Sequence, residues 1–309
     1  ATIFQINPYT GTVVKFLGFS GLAGSLDGDI TSASISLGVY SLVWYDNVLY
    51  FADSMNNKIR KVVNGIVSVH AGTGSATSSD NVNPLSAKFN NPRGMAINTA
   101  TGIIYVADFG SQLLRRILLS GRTETVAGSG AGTVTDGFGT AASFASLHAL
   151  VMHPSNTYML GLEINHCVIR KILISNFQVT TLAGSTCEIL DGMGSSARFI
   201  AESGYFDSKG NFYIVGGSRV ARVTIINDTI AYVEHIAGSS GGFVDNVAGN
   251  AARFQGLKGA LVFNNTIYVS DSNNNRIRAI IPTCFNMNAS NPLVCGGHGT
   301  CVAPNTCTC

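Results

Sequence analysis

The sequence is short of charge. Asp, Glu, Lys and Arg make up 12% of its 309 residues, against about 25% in an ordinary globular domain. Nineteen basic and 17 acidic residues leave a formal net charge of +2, too mild for the basic footprint of a nucleic-acid-binding surface. There is no run of five like charges, and no apolar stretch nears the roughly 18–20 residues of a membrane helix. The phosphate-loop signature G-x-x-x-x-G-K-[ST] is missing, and the Gly-rich loops follow no βα unit.

What is present is Gly (35 residues) and 46% hydrophobic residues. That combination suits many short strands joined by tight turns and excludes a disordered chain, which is charged and poor in apolar residues. Self-comparison finds a repeat. The string VAGSGAGTVTDGFGTAASF (126–144) recurs as LAGSTCEILDGMGSSARF (182–199) and IAGSSGGFVDNVAGNAARF (236–254). Residues 70–89 are a looser copy and residues 22–35 a degenerate one. Loop aspartates Asp27, Asp80, Asp136, Asp191 and Asp245 follow one another at a nearly constant interval, and Phe89, Phe144, Phe199 and Phe254 at a constant one.

Between the loops, VLYFADSMNNKIRKVV (48–63) matches segments 103–118, 157–173 and 266–281. Each holds two β-rich runs around a polar turn, preceded by a short apolar run and followed by another. Four strands per repeat, a to d, form an antiparallel meander. One meander buries too little surface, so repeats must stack, as a solenoid or as propeller blades. Asp53 and Arg60, Asp108 and Arg115, Glu163 and Arg170, and Asp271 and Arg278 are each seven residues apart. A hairpin centred between them puts acid and base on neighbouring strands, and we read them as structural ion pairs. The fourth repeat has Gly217 in place of the acid and a shortened turn.

The AG…DG.G..A.F loops and the Y-V-A-D…(R/K)-I-R-K runs resemble NHL repeats over residues 12–281. The resemblance implies an all-β β-propeller of four-stranded antiparallel blades. The repeats point to five blades rather than six, within a domain of residues 1–282. TVVKFLG (12–18) aligns with the d strands, because Gly18 precedes Gly72 by one repeat period. It is expected to close the last blade, which stops after strand c, and so to remove free sheet edges. TIFQI (2–6) is then a surplus strand, available to pair with another molecule.

Residues 283–309 carry Cys284, Cys295, Cys301, Cys307 and Cys309, and CGGHGTCVAPNTCTC (295–309) resembles an EGF-like module. That resemblance implies bonds Cys284–Cys301 and Cys295–Cys307, with the sixth cysteine of the pattern absent. A zinc site is the competing reading of these cysteines, against which no C-x2-C pair occurs. Cys309 is left odd, and the chain starts at Ala1 without Met; we expect a protein that continues past residue 309, and either a removed signal peptide or a fragment at the start. Cys167 and Cys187 lie either side of the turn at 175–178, so a hairpin there brings them across from each other as a disulfide; two buried thiols are the alternative. Disulfides imply an oxidising compartment. Sequons at Asn227, Asn264 and Asn288 point the same way, to a secreted or cell-surface glycoprotein.

No catalytic constellation emerges. Of His70, His148, His153, His166, His235 and His298, only His148 and His153 flank a strand a, and they belong to one blade. One loop aspartate per blade cannot gather the six to eight oxygens that Ca²⁺ takes, and an Asp before Gly or Asn stabilises a turn through its own backbone. We therefore assign no metal, no cofactor and no catalytic residue. The expected function is that of a non-catalytic extracellular structural or interaction protein, a rigid unit of a larger self-assembling structure such as a filament. Its partners are copies of itself, through the N-terminal strand and the EGF-like tail, and N-linked glycans, with neither nucleic acid nor a membrane span. The alternatives are an adhesion or receptor ectodomain binding a protein or glycan, and a metal-dependent propeller lyase or lactonase.

Overall fold

The structure is a computed structural model. It describes residues 2–7, 9–18, 23–246, 249–263, 266–280, 300–303 and 306–308, the last two stretches in backbone only. Compact packing divides the chain into two units, Ala1–Thr181 and Leu182–Cys309.

The first unit begins with a hairpin of β1 (Thr2–Ile6) and β2 (Val13–Gly18). The first blade comprises β3 (Gly28–Asp29), β4 (Val39–Tyr45), β5 (Val48–Asp53), β6 (Lys58–Val63) and β7 (Ile66–Ala71), hydrogen-bonded in the order β3-β7-β6-β5-β4. The second comprises β8 (Pro92–Ile97), β9 (Ile104–Asp108), β10 (Leu113–Ile117) and β11 (Thr123–Ala127), in plain meander order. The third has β12 (Gly137–Phe138), β13 (Leu147–Met152), β14 (Tyr158–Glu163), β15 (Val168–Leu173) and β16 (Gln178–Gly184), with β12 added outside β16.

The second unit holds the fourth blade, made of β17 (Gly192–Met193), β18 (Ser203–Phe206), β19 (Phe212–Gly216), β20 (Arg219–Asn227) and β21 (Ile230–Ala237). The fifth has three described strands, β22 (Leu257–Phe263), β23 (Thr266–Asp271) and β24 (Arg276–Ile280). A last hairpin, β25 (Thr300–Ala303) and β26 (Thr306–Thr308), pairs Cys301 with Cys307 in register. Among the described residues, helical structure is limited to single 3-10 turns, and no helix is long and apolar enough to cross a membrane. The fold is a β-propeller of five antiparallel blades. β2, expected to act as the outer strand of the last blade, pairs with β1.

The strands form where the sequence alternates Val, Ile, Tyr and Phe, because β-branched and aromatic side chains fit a pleated, half-buried surface. The polar turn between second and third strands is a 3-10 turn ending in a left-handed residue: Asn57, Gln112 and Asn275 have φ of 54°, 57° and 53°. Cys167 holds the same place in the third blade with φ 50°. Gly128 marks the exit from the outer strand. Its φ is 97°, and a Cβ there would lie 2.7 Å from the Gln112 carbonyl oxygen, so the loop touches the preceding turn only because the residue is Gly.

The core lies between successive blades. Phe89 packs with Ala52, Ile59, Met95 and Val106 between the first and second, and Phe144 with Leu114, Leu147 and Met159 between the second and third. Phe254 does the same with Val215, Val220, Leu257 and Val269 in the second unit. The periodic Phe is thus the plug of these three junctions. Truncating Phe144 to Ala is expected to cost ~3–5 kcal/mol, the usual range for a buried aromatic, measured as a fall in the urea midpoint at unchanged slope.

Candidate functional site

Two arrangements draw chemistry-bearing side chains together. The first is repeated in four blades. Asp53 stands opposite Lys58 and Arg60 opposite Phe51, so acid and base are diagonal neighbours on one face rather than directly opposed. The guanidinium closes the gap: Arg60 to Asp53 is 3.1 Å, Arg115 to Asp108 3.0 Å, Arg170 to Glu163 2.5 Å and Arg278 to Asp271 3.0 Å.

The same guanidinium reaches the loop aspartate. Arg60 meets Asp27 at 2.8 Å, Arg115 meets Asp80 at 2.6 Å, Arg170 meets Asp136 at 3.1 Å and Arg278 meets Asp245 at 2.5 Å. Arg115 also donates to the Lys88 and Ser79 carbonyl oxygens, and Arg170 to those of Ser143 and Thr135. The junction Phe lies against it, with Arg115 5.0 Å from the Phe89 ring centroid and Arg278 4.3 Å from that of Phe254. The strand carboxylates are saturated as well. Asp108 accepts from the Asn90 amide at 2.6 Å, and Glu163 from the amides of Ala145 and Ser146.

The periodic aspartates therefore do more than stabilise their own turns. Besides the guanidinium they accept outer-strand amides: Thr125 donates to Asp80 at 2.8 Å and Thr181 to Asp136 at 3.1 Å. In the fourth blade Gly217 replaces the acid, and the residue in the Arg position, opposite Val215, is Val220, fully buried. Asp191 stays on the His235 amide and binds that imidazole at 2.6 Å. Acid and base are lost together, and hydrophobic packing takes their place. Burial raises the Asp108 carboxyl above its ordinary range, opposed by the Asn90 amide, the Ser78 hydroxyl and the Arg115 guanidinium.

The second arrangement lies at the loop end of the inner strands of the first unit. Tyr40, Arg93 and His148 occupy one repeat position in three successive blades, on β4, β8 and β13. The Arg93 guanidinium sits 3.5 Å from the centroid of Phe109, which follows β9, and 4.8 Å from that of Tyr40. The His148 ring meets Tyr40 edge-on at 5.4 Å and Phe109 at 6.2 Å. A cation between two aromatic faces, partly open to solvent, offers planar and anionic groups both stacking and charge. From the sequence, His148 receives no metal role and Arg93 is not singled out; the blade period linking positions 40, 93 and 148 is the signal that finds the cluster. In the second unit the same position holds Lys258, which binds Glu202 at 2.7 Å.

The other histidines are placed singly. His153 stacks on Tyr158 at 4.4 Å, His166 lies 3.5 Å from the Ser146 hydroxyl, and His70 meets Tyr50 edge-on at 4.9 Å. His298 lies outside the described residues. Among the described residues, no three His, Cys, Asp or Glu side chains gather as metal ligands. Cys167 and Cys187 are both disulfide-bonded. Asn227 is exposed at the end of β20, its side-chain oxygen accepting from the Thr229 amide and hydroxyl at 2.9 and 3.0 Å. Asn264, Asn288, Cys284, Cys295 and Cys309 lie outside the described residues, as do the side chains of Cys301 and Cys307; the EGF-like module falls with them.

Fold and site together define a β-propeller whose carboxylates are bound up in blade-locking clusters. No protein-family model matches the chain, and no curated protein matches its sequence. Solved structures share the fold. A chain of a nidogen/laminin complex is similar with a TM-score of 0.58 and 12% identity, over 90% of this chain and 84% of that one. An auxiliary nutrient binding protein from Bacteroides thetaiotaomicron gives 0.54 at 16% identity, over 85% and 74%. A streptogramin B lyase gives 0.50 at 13%, over 93% and 78%.

Two outcomes test these clusters. Arg115→Met strands Asp108 and Asp80 without their cation and is expected to cost ~3–5 kcal/mol. Asp108→Ala combined with Arg115→Val, which imitates the fourth blade, is expected to cost less than the single change, measured by chemical unfolding. Burial, helped by Lys61, lowers His70 from 6.5 to about 4. Its contribution to stability is therefore complete above pH 6.5 and falls as the pH drops towards 4, by ~3 kcal/mol at ~1.4 kcal/mol per unit. Unfolding midpoints of His70→Phe between pH 7 and pH 4 are expected to fall less than those of the wild type.

Proposed function

We propose that the chain is a non-catalytic interaction module of a secreted or cell-surface protein, an NHL-type propeller that serves as a rigid unit of a larger assembly. The observation that carries this reading is where the blade carboxylates go. Four of the five blades bind their strand acid to a buried guanidinium, which removes it from acid–base chemistry and applies it to rigidity. The disulfide-bonded cysteines and the exposed sequon at Asn227 support an oxidising, glycosylating compartment. The fold likeness to a chain from a nidogen/laminin complex accords with protein binding.

A ligand-binding ectodomain is the second reading, favoured by the half-open Tyr40–Arg93–Phe109–His148 cluster. Planar anionic groups, such as a peptide carboxylate beside an aromatic residue or an acidic sugar, suit it.

One preparation distinguishes these from a metal-dependent lyase. Protein secreted from a eukaryotic host is expected to lose mass on enzymatic deglycosylation, and to lose less of it when Asn227 is replaced by Gln. After dialysis it is expected to hold well under one equivalent of any divalent metal. A stoichiometric metal that restores ring-opening activity on a cyclic ester or lactone substrate is the result that sinks the non-catalytic reading.

A further inference from the structure

What the fold needs recurs along the repeats. The buried guanidiniums of Arg60, Arg115 and Arg170 hold one repeat position in the three blades of the first unit, each bound to two carboxylates. The position of Tyr40, Arg93 and His148 behaves differently. The same three blades place three unlike side chains there, a phenol, a guanidinium and an imidazole, at the start of inner strands of the same kind. The strand forms whichever of them it carries, so folding does not dictate the choice.

The backbone draws these three side chains together. A Cβ on Gly94 would lie 2.6 Å from the His148 carbonyl oxygen and 2.8 Å from the Ala149 Cα. β8 and β13 run this close only because the residue is Gly, and Arg93 is thereby set next to His148. On the other side the Ser41 hydroxyl accepts from the Met95 amide at 3.1 Å and holds β4 to β8. Phe109 and Tyr40 then stand 3.5 and 4.8 Å from the Arg93 guanidinium. His148 is buried and meets both rings edge-on, backing the group. Tyr40 is 52% exposed and Met55 65%. Both lie 3.1 Å from where a Cβ on Gly38 would stand, so they form one apolar shelf beside the cation.

The two rings take up the stacking contacts of the guanidinium, so what it offers a ligand is its N–H donors, a fork that fits the paired oxygens of a carboxylate. The shelf lies directly beside that fork. A ligand that uses both carries its carboxylate on a ring with a flat apolar face. We propose that the cluster binds a hexuronic acid unit of an acidic polysaccharide, with the carboxylate on Arg93 and the C–H face of the sugar ring on Tyr40 and Met55. The proposal rests on the ligand-binding reading and names the ligand class. A peptide terminus fits the cluster less well. Rotatable bonds separate its carboxylate from any side-chain ring, and ordering them costs affinity. Peptide docking also draws on main-chain hydrogen bonds along a strand edge or groove, whereas the parts of this cluster are side chains.

Isothermal titration of the full chain with a short oligogalacturonate is expected to give saturable binding that weakens as salt rises. The fully methyl-esterified oligomer keeps the sugar ring and loses the charge, and is expected to bind at least ~10-fold more weakly. Arg93→Gln is expected to lose a similar factor, and Arg93→Lys part of it, because an ammonium keeps the charge without the fork. Tyr40→Ala is expected to weaken binding ~3-fold or more at unchanged salt dependence. Arg122→Gln removes a cation whose side chain is 56% exposed and is expected to leave binding unchanged. The variants are compared at equal circular dichroism and unfolding midpoint. Binding that is indifferent to the methyl ester, survives Arg93→Gln or falls equally with Arg122→Gln overturns the site. A peptide ending in a free Phe carboxylate is the second probe. Tighter, Arg93-dependent binding of that peptide overturns the sugar and keeps the ligand-binding reading. No binding of either probe up to about 10 mM, weaker than any specific recognition at issue, overturns both.

Discussion

A guanidinium with no exposed side-chain surface, held between two carboxylates, is the constraint on which the blades depend. Burying that charge costs several kcal/mol unless every donor is met, and in Arg115 it is met by Asp108, Asp80 and two loop carbonyls. The strand acid in turn holds the amide that leads into the inner strand, while the loop aspartate holds an amide of the outer strand. One side chain on the third strand therefore ties together the second strand, the outer strand, the long loop and the entry to the inner strand. The junction Phe, close to the same guanidinium, links this polar cluster to the apolar core between blades. Loss of either charge leaves the other stranded, which is why the fourth blade lacks both.

This arrangement shapes what the surface has left for function. Beside these engaged acids, the aromatic and cationic side chains of Tyr40, Arg93, Phe109 and His148 gather at the loop ends of the inner strands of the first unit. Side chains of this kind interact through stacking and charge attraction. The guanidinium clusters of the same blades hold the strands that carry them in place.

The repeat period, the four-strand meander and the strand ion pairs were legible in the sequence, because strand pairing and side-chain alternation are local and recur with every blade. The loop aspartates were equally visible as a series, yet their partner was not. Asp80 and Arg115 are far apart along the chain, and only the fold of the long loop over the blade brings them within 2.6 Å. A turn-forming role was the local reading of Asp before Gly or Asn, and tertiary hydrogen bonding overrode it.

By itself the sequence determined the repeat, its four-strand meander and which strand residues pair as acid and base, since these follow from a period that survives in one dimension. Tertiary structure alone decided which positions meet. Tyr40, Arg93, Phe109 and His148 converge because the three blades of the first unit stack. Such a meeting is a contact between repeats, and a repeat read in isolation has no neighbour.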